Sequence, residues 1–196
     1  MRTEKRAERA RQIEAAAYDI LEKKGFSGLS MQAVAKQAKA SNETLYRWYG
    51  DKTGLFEALI RGNSAHVAAA LGEADPDPVT ALRTVGVVLL GMLLGPRAIA
   101  LNRAAAADSS GTLGRALARE GREAIAPRII ASMHAAVQAG QLGGAPEEMA
   151  ETWFSLLTGD LQVRRVTGAL AQPRSDYIET RSATALSRLQ TLFPVE

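Results

Sequence analysis

Residues 25–56 run GFSGLSMQAVAKQAKASNETLYRWYGDKTGLF. Capping chemistry divides them into short helices. Ser30 is a good N-cap for a helix over 31–37 that buries Val34, Ala35 and Ala38. Lys39-Ala40 leaves room only for a tight turn, and Ser41 can cap the next helix, over 42–48. Gly50 stops that helix, and Asp51 caps a fourth whose inward residues are Leu55, Phe56, Leu59 and Ile60. Upstream, Ile13, Ala17, Ile20 and Leu21 keep helical spacing over about 5–24, with Gly25 as the stop. Two short helices across a tight turn, flanked by longer ones, follow the logic of a helix-turn-helix. The third helix carries Ser41, Asn42, Thr44, Tyr46, Arg47 and Trp48 on or beside one polar, aromatic side. At roughly 10 Å it fits a major groove about 12 Å wide. Asn and short polar side chains suit base edges, while Tyr, Lys and Thr suit phosphates.

Charge is distributed to match. The net charge of +3 comes entirely from residues 1–60, with 11 Lys+Arg against 8 Asp+Glu, and the remainder balances at 13 against 13. All six lysines (Lys5, Lys23, Lys24, Lys36, Lys39 and Lys52) fall in that first segment. The basic residues Arg2, Lys5, Arg6, Arg9 and Arg11 can be read as an arm for a minor groove or as a solvated end diluted by Glu4 and Glu8.

Other classes lose ground on composition. With 196 residues the chain can bury a sizeable core. Zero cysteines exclude disulfides, thiolate metal sites and Cys nucleophiles, and two histidines make a His-rich metal site unpromising. No HExxH, glycine-rich phosphate loop or Ser/His/Asp order with nucleophile context occurs, so no enzyme, metal or cofactor is expected. Glu14 and Asp19 interrupt the first apolar stretch, and the longest apolar run, Val85 to Gly95, is too short for a bilayer. A cytoplasmic protein without a membrane partner is the expectation.

Downstream, helical patterning continues. Asp77-Pro78 opens a helix to about Leu94, and Gly95-Pro96 breaks it and starts another to about Ala107. After a turn at 108–111 a long helix reaches about Ala139, with a kink or split expected at Pro127. One helix is expected from Pro146 to about Val166, and a last one over about 175–193. The fold class is therefore all-α.

Gly25-Phe26, Leu29-Ser30, Ala35 and the run TLYRWYGDKTGLF from Thr44 resemble the DNA-binding domain of the TetR family of bacterial transcriptional regulators. The close resemblance covers about 50 residues. It departs at Lys39, which stands where the family usually has glycine, so either the turn differs or Lys39 accepts a left-handed conformation. The resemblance implies a three-helix DNA-binding domain over 1–52 and a helical ligand-binding and dimerisation domain over 53–196. It implies DNA contacts from Ser30, Met31, Gln32, Asn42, Glu43, Thr44, Tyr46, Arg47, Trp48 and Lys52. Trp48 can instead be core, Glu43 a solvated cap partner, and Arg47 a solvent-facing charge.

It further implies a homodimer on a palindromic operator, a small-molecule effector and repression relieved by it. The helix from Pro146 is apolar around much of its circumference, and the last helix carries a near-heptad seam. Trp153, Leu157, Ile178, Ala185, Leu186, Leu189 and Leu192 are the expected interface, with an intramolecular core seam as the alternative. Candidate effector contacts are His66, Met92, Arg97, Asn102, Arg103, Met133, His134, Trp153 and Asp160. The competing function is a helical ligand-binding or adaptor protein that has lost DNA binding.

Overall fold

The computed structural model describes residues 2–72 and 75–195. Among them eleven α-helices, one short π-helical turn and no strand occur. The helices are α1 (Arg2–Gly28), α2 (Met31–Gln37), α3 (Asn42–Tyr49), α4 (Lys52–Gly72), α5 (Pro78–Leu94) and α6 (Pro96–Ala106). Then come α7 (Thr112–Leu117), the π turn (Ala118–Arg122), α8 (Glu123–Gln138), α9 (Pro146–Thr158), α10 (Leu161–Thr167) and α11 (Ser175–Leu192). The all-α class holds.

Capping explains most of the boundaries. Ser30, Ser41 and Asp77 each accept a hydrogen bond from a backbone N–H in the first turn of the helix they precede. Pro78 takes the first turn of α5, where its missing N–H costs nothing. Gly25 stops the first helix as expected: its φ of 64° and ψ of −172° are not helical, and the kink there precedes the short stretch to Gly28. Two boundaries differ from expectation. The long helix breaks at the π turn over 118–122, and Pro127 stays inside α8. Proline at 127 lacks an N–H for the carbonyl at 123, which lies in the first turn after the π turn, where regular pairing is already interrupted. The helix from Pro146 stops at Gly159, whose φ of 46° and ψ of −130° start a new axis for α10.

Compactness divides the chain into two units. The first comprises residues through Asn63 with Pro96–Glu120, and the second Ser64–Gly95 with Gly121–Glu196. The compact division differs from the expected one at 52/53, because α4 packs into the first core as far as Ile60. Leu55, Phe56, Leu59 and Ile60 of α4, with Ala100, Leu101, Ala104, Leu113 and Ala116, share one core with Ile13, Ala17, Ile20 and Leu21 of α1. The Tyr18 hydroxyl donates to the carbonyl of Leu59 at 2.7 Å inside that core, tying α1 to α4.

The second core joins α5, α8, α9 and α11 around Trp153, which is 0% exposed. Leu157, Ala185, Leu186 and Leu189 are buried in this same core, and Ile178 packs against it half-buried. The seam expected to face a partner chain is thus filled within the chain itself. Heptad spacing marks a helix that packs closely but not whose surface it meets. Of that set, only Leu192 is exposed, at 59%. α5 approaches α11 so closely that a Cβ on Gly86 would lie 2.2 Å from the Ser182 hydroxyl, which donates to the Arg83 carbonyl.

Gly86→Ala is expected to cost roughly 1–3 kcal/mol by overpacking, read as a lower melting temperature. Adding Ser182→Ala should restore part of that deficit. An unchanged melting temperature in the single variant would contradict the close approach of α5 and α11.

Candidate nucleic-acid interface

α3 is held by one fully buried residue, Leu45, with Trp48 and Tyr49 packed half-buried against the first core. The opposite side is free: Asn42, Glu43, Tyr46 and Arg47 are exposed, Tyr46 at 55%. With eight residues and an N-cap at Ser41, α3 presents its N-terminal end and one polar face. The Ser41 hydroxyl accepts from the Thr44 N–H at 3.1 Å and lies 2.9 Å from the Thr44 hydroxyl, which ties half-buried Thr44 into the cap. Glu43 and Arg47 form an exposed pair one turn apart at 3.5 Å. Such a pair is weak and opens readily to a stronger partner.

α2 contributes less than expected. Ser30 and Gln32 are exposed at its start, but Met31 is buried in the core and points away from any groove. Its apolar side chain takes the inward position that helical spacing reserves next to Val34 and Ala35. At the start of α4, the Lys52 ammonium sits 3.8 Å from the centre of the Phe26 ring, which itself meets Phe56 edge-on. Partial burial lowers the Lys52 pKa below the ordinary lysine value.

The basic residues of α1 do different things. Arg11 pairs with Glu8. The Arg6 guanidinium lies 5.2 Å over the Trp48 ring, and Trp48 meets Tyr49 edge-on. Arg9 donates to the carbonyls of Ala38 and Lys39 in the turn between α2 and α3. Lys5 is exposed, and the Arg2 side chain lies outside the described residues. The roles of Arg6 and Arg9 within the fold were not legible in the sequence, where only their charge is visible.

The candidate effector residues do not form one group. Arg97, Asn102 and Arg103 belong to the first unit, and the other six to the second. Arg97 is exposed and stacks over the Tyr18 ring at 5.0 Å, and Asn102 donates to the Ala98 carbonyl one turn back. Arg103, His66, His134 and Asp160 are exposed, and Asp160 lies 3.9 Å from Arg164. Met133 and Trp153 are fully buried in the second core, with Met92 half-buried against it. Among the described residues the Trp153 indole N–H and Gln141 Oε1 are buried without a hydrogen-bond partner.

Residues 13–59 match the family described as bacterial regulatory proteins, tetR family, and residues 80–188 match the AefR-like transcriptional repressor, C-terminal domain. The chain belongs to the TetR family of transcriptional regulators. Members of this family bind DNA, and α2 and α3 lie within the matched residues 13–59. The uncharacterized HTH-type transcriptional regulator YvkB of Bacillus subtilis (strain 168) is 32% identical over 75 residues. That match spans 38% of this chain and 40% of YvkB. A TetR transcriptional regulator from Agrobacterium tumefaciens is 28% identical with a TM-score of 0.76, covering 96% of this chain and 95% of that one. The flavonoid-responsive regulator FrrA is 27% identical with a TM-score of 0.67, covering 95% of this chain and 97% of that one. Among the described residues no single helix is long and apolar enough to cross a membrane.

Glu14 of α1 supplies a pH test of how this region is packed. Burial raises its carboxyl above the usual carboxylate range, only partly opposed by Arg97. Burial likewise pushes the Tyr49 hydroxyl up to about 12, with the Glu14 charge adding to it and Arg6 opposing. The folded state therefore holds the Glu14 proton more tightly than the unfolded chain does. That contribution is fully present below the ordinary carboxyl pKa and is lost as pH rises through the raised value. Glu14→Gln is expected to raise the melting temperature at neutral pH and to change it little at about pH 4. A larger gain at the acid end would refute the sign.

Proposed function

We propose that this protein is a repressor that grips a palindromic operator as a homodimer and releases it when a small molecule binds the second unit. The observation that carries the reading is the face of α3: four exposed polar or aromatic side chains on a short helix anchored from behind by Leu45. Asn42 and Glu43 lie in the first turn, where groove-reading helices address base edges. Arg47 lies one turn on and can exchange Glu43 for a base or phosphate. The exposed Tyr46 phenol and the Lys52 ammonium serve phosphates, with Ser30, Gln32 and Thr44 beside them and Trp48 supporting from the core side.

Two copies are needed because one eight-residue helix offers few base contacts. Family membership supports a dimer, and the outer faces of α9 and α11 suit it. On α11 the outer side is a row of small residues at Thr180, Thr184, Ser187 and Thr191, of which Thr184 is half-buried and the others exposed. The three threonine hydroxyls donate to carbonyls of their own helix one turn back, which leaves methyl groups outward. A smooth face of this kind allows close helix packing.

For the effector, the second core holds the Trp153 indole N–H, buried without a hydrogen-bond partner among the described residues, in the same core as Met133. A largely apolar molecule with an acceptor would satisfy it and find adaptable neighbours. Such a molecule releases DNA only by as much as it prefers the non-binding arrangement of the dimer. FrrA, described as flavonoid-responsive, is one relative whose effector is of that general kind.

Selection from a random duplex pool is expected to return a palindrome whose half-sites lie about 10–10.5 base pairs apart, or a multiple of that spacing. Failure to enrich any sequence would favour a protein that has lost DNA binding. Tyr46→Phe with Lys52→Ala should weaken binding to all duplexes and lower the log–log salt slope by about 1 for each phosphate that is no longer neutralised. Unaltered affinity would remove both residues from the interface. Thr184→Arg should give monomers in sedimentation with unchanged helicity, and a persistent dimer would exclude the α11 face.

A further inference from the structure

We propose that Arg9 is a positioning residue for DNA reading: it pins the turn between α2 and α3 against α1 and supports a strained backbone at Lys39. Lys39 has φ 51° and is the one non-glycine residue with positive φ among those described. A residue with a Cβ is unfavourable there, because its side chain crowds the following carbonyl. The turn demands this conformation. The Ala40 N–H donates to the Ala35 carbonyl at 2.9 Å and the Lys39 N–H to Lys36 at 3.3 Å. These two bonds close α2 in the pattern whose left-handed position normally holds glycine.

The pattern satisfies the carbonyls of Ala35 and Lys36 but leaves those of Ala38 and Lys39 facing outward. Arg9 Nη1 donates to both, at 3.3 and 3.4 Å. Its positive charge also suits the negative end of the α2 dipole. A second tie lies on the same seam, where the Gln37 amide donates to Asp19 at 2.7 Å. Between the ties runs an open depression lined by Arg9, Gln12, Ala15, Ala16 and the turn residues. Among the described residues no carboxylate pairs with Arg9. Its guanidinium is committed to the turn, unlike that of Arg11, which pairs with Glu8.

The consequence lies in α3, which begins two residues after Ala40. Recognition side chains must be held within roughly 10–20° of their working orientation. A turn released from Arg9 can relax toward a less strained backbone, and that relaxation rotates Asn42 and Tyr46 away from their stations.

The experiment uses the full-length protein, a duplex recovered from the random pool and a random-sequence duplex of the same length. It rests on the DNA-binding reading of α3. Arg9→Ala and Arg9→Lys should each weaken binding of the recovered duplex about tenfold, since alanine has no donor and the lysine ammonium ends one bond short of the Nη1 position that reaches both carbonyls. Binding of the random duplex should change by less than about twofold and the salt slope should stay constant, because a positioning residue releases no counterions. With Lys39→Gly in place, the effect of substituting Arg9 should shrink to about threefold or less, because glycine removes the strain. Three results overturn the proposal: equal weakening on both duplexes with a slope smaller by about 0.9, an Arg9 effect of the same size with Lys or Gly at 39, or no weakening. Arg9→Lys keeps the charge, so the test stands even where Arg9→Ala fails to fold. If the pool yields no duplex, the DNA reading fails while the clamp is still judged from melting temperatures. There the Arg9 and Lys39 substitutions should be non-additive, and additivity would reject it.

Discussion

Leu45 is the fixed point of α3 and of the face proposed to read DNA. A helix of eight residues has no independent stability in water, so α3 exists where its one fully buried side chain finds a core. That core is built from α1, α2, the first half of α4 and the segment from Pro96 to Glu120. Every other property of α3 follows from burying Leu45 with Trp48 and Tyr49 behind it. The side that remains is polar and exposed, and its direction is set by how tightly the turn before it is held. The same constraint explains why the first unit recruits residues distant in sequence. Ala100, Leu101 and Leu113 share the core built by residues of α1 to α4.

Local chemistry was the legible part of the sequence. Ser30, Ser41 and Asp77 bound helices by hydrogen bonds within four residues, and Pro78 by lacking a donor where none is needed, so they can be read without knowing the fold. The exposed face of α3 was legible for the same reason. Breaks that depend on long-range packing were not. Nothing in ALAREGREAIAP marks residues 118–122 as a π turn, and proline at 127 drew attention to the wrong place. Gly159 looks like any helix glycine in sequence, yet its backbone separates α9 from α10.

The seam on α11 shows where pattern reading stops. Spacing of Ala185, Leu186 and Leu189 identifies a face that packs, and packing against α5 and α9 inside the chain satisfies it. The outer face sets a row of small residues beside the exposed Tyr177 and Leu192 and so leaves little hydrophobic signal in the sequence. Small residues with internally bonded hydroxyls favour close approach through shape, and shape leaves little trace in hydropathy. Buried polar atoms are similarly silent: the Trp153 indole reads as core in sequence, and only its missing acceptor sets it apart.

Net charge and binding surface must also be separated. The excess of three positive charges lies in residues 1–60, but much of it is committed internally. Arg9 caps a turn, Arg6 covers Trp48, and Arg11 and Lys23 face carboxylates. Charge committed in this way adds less to non-specific affinity, which grows with the number of phosphates neutralised. Under the proposed function, specificity then comes from correctly aimed side chains on α3 and from doubling them. In such a protein a small rotation of α3 costs a large share of the total affinity. Residues that aim the helix, above all those holding the turn at Lys39, therefore matter as much as residues that touch the duplex.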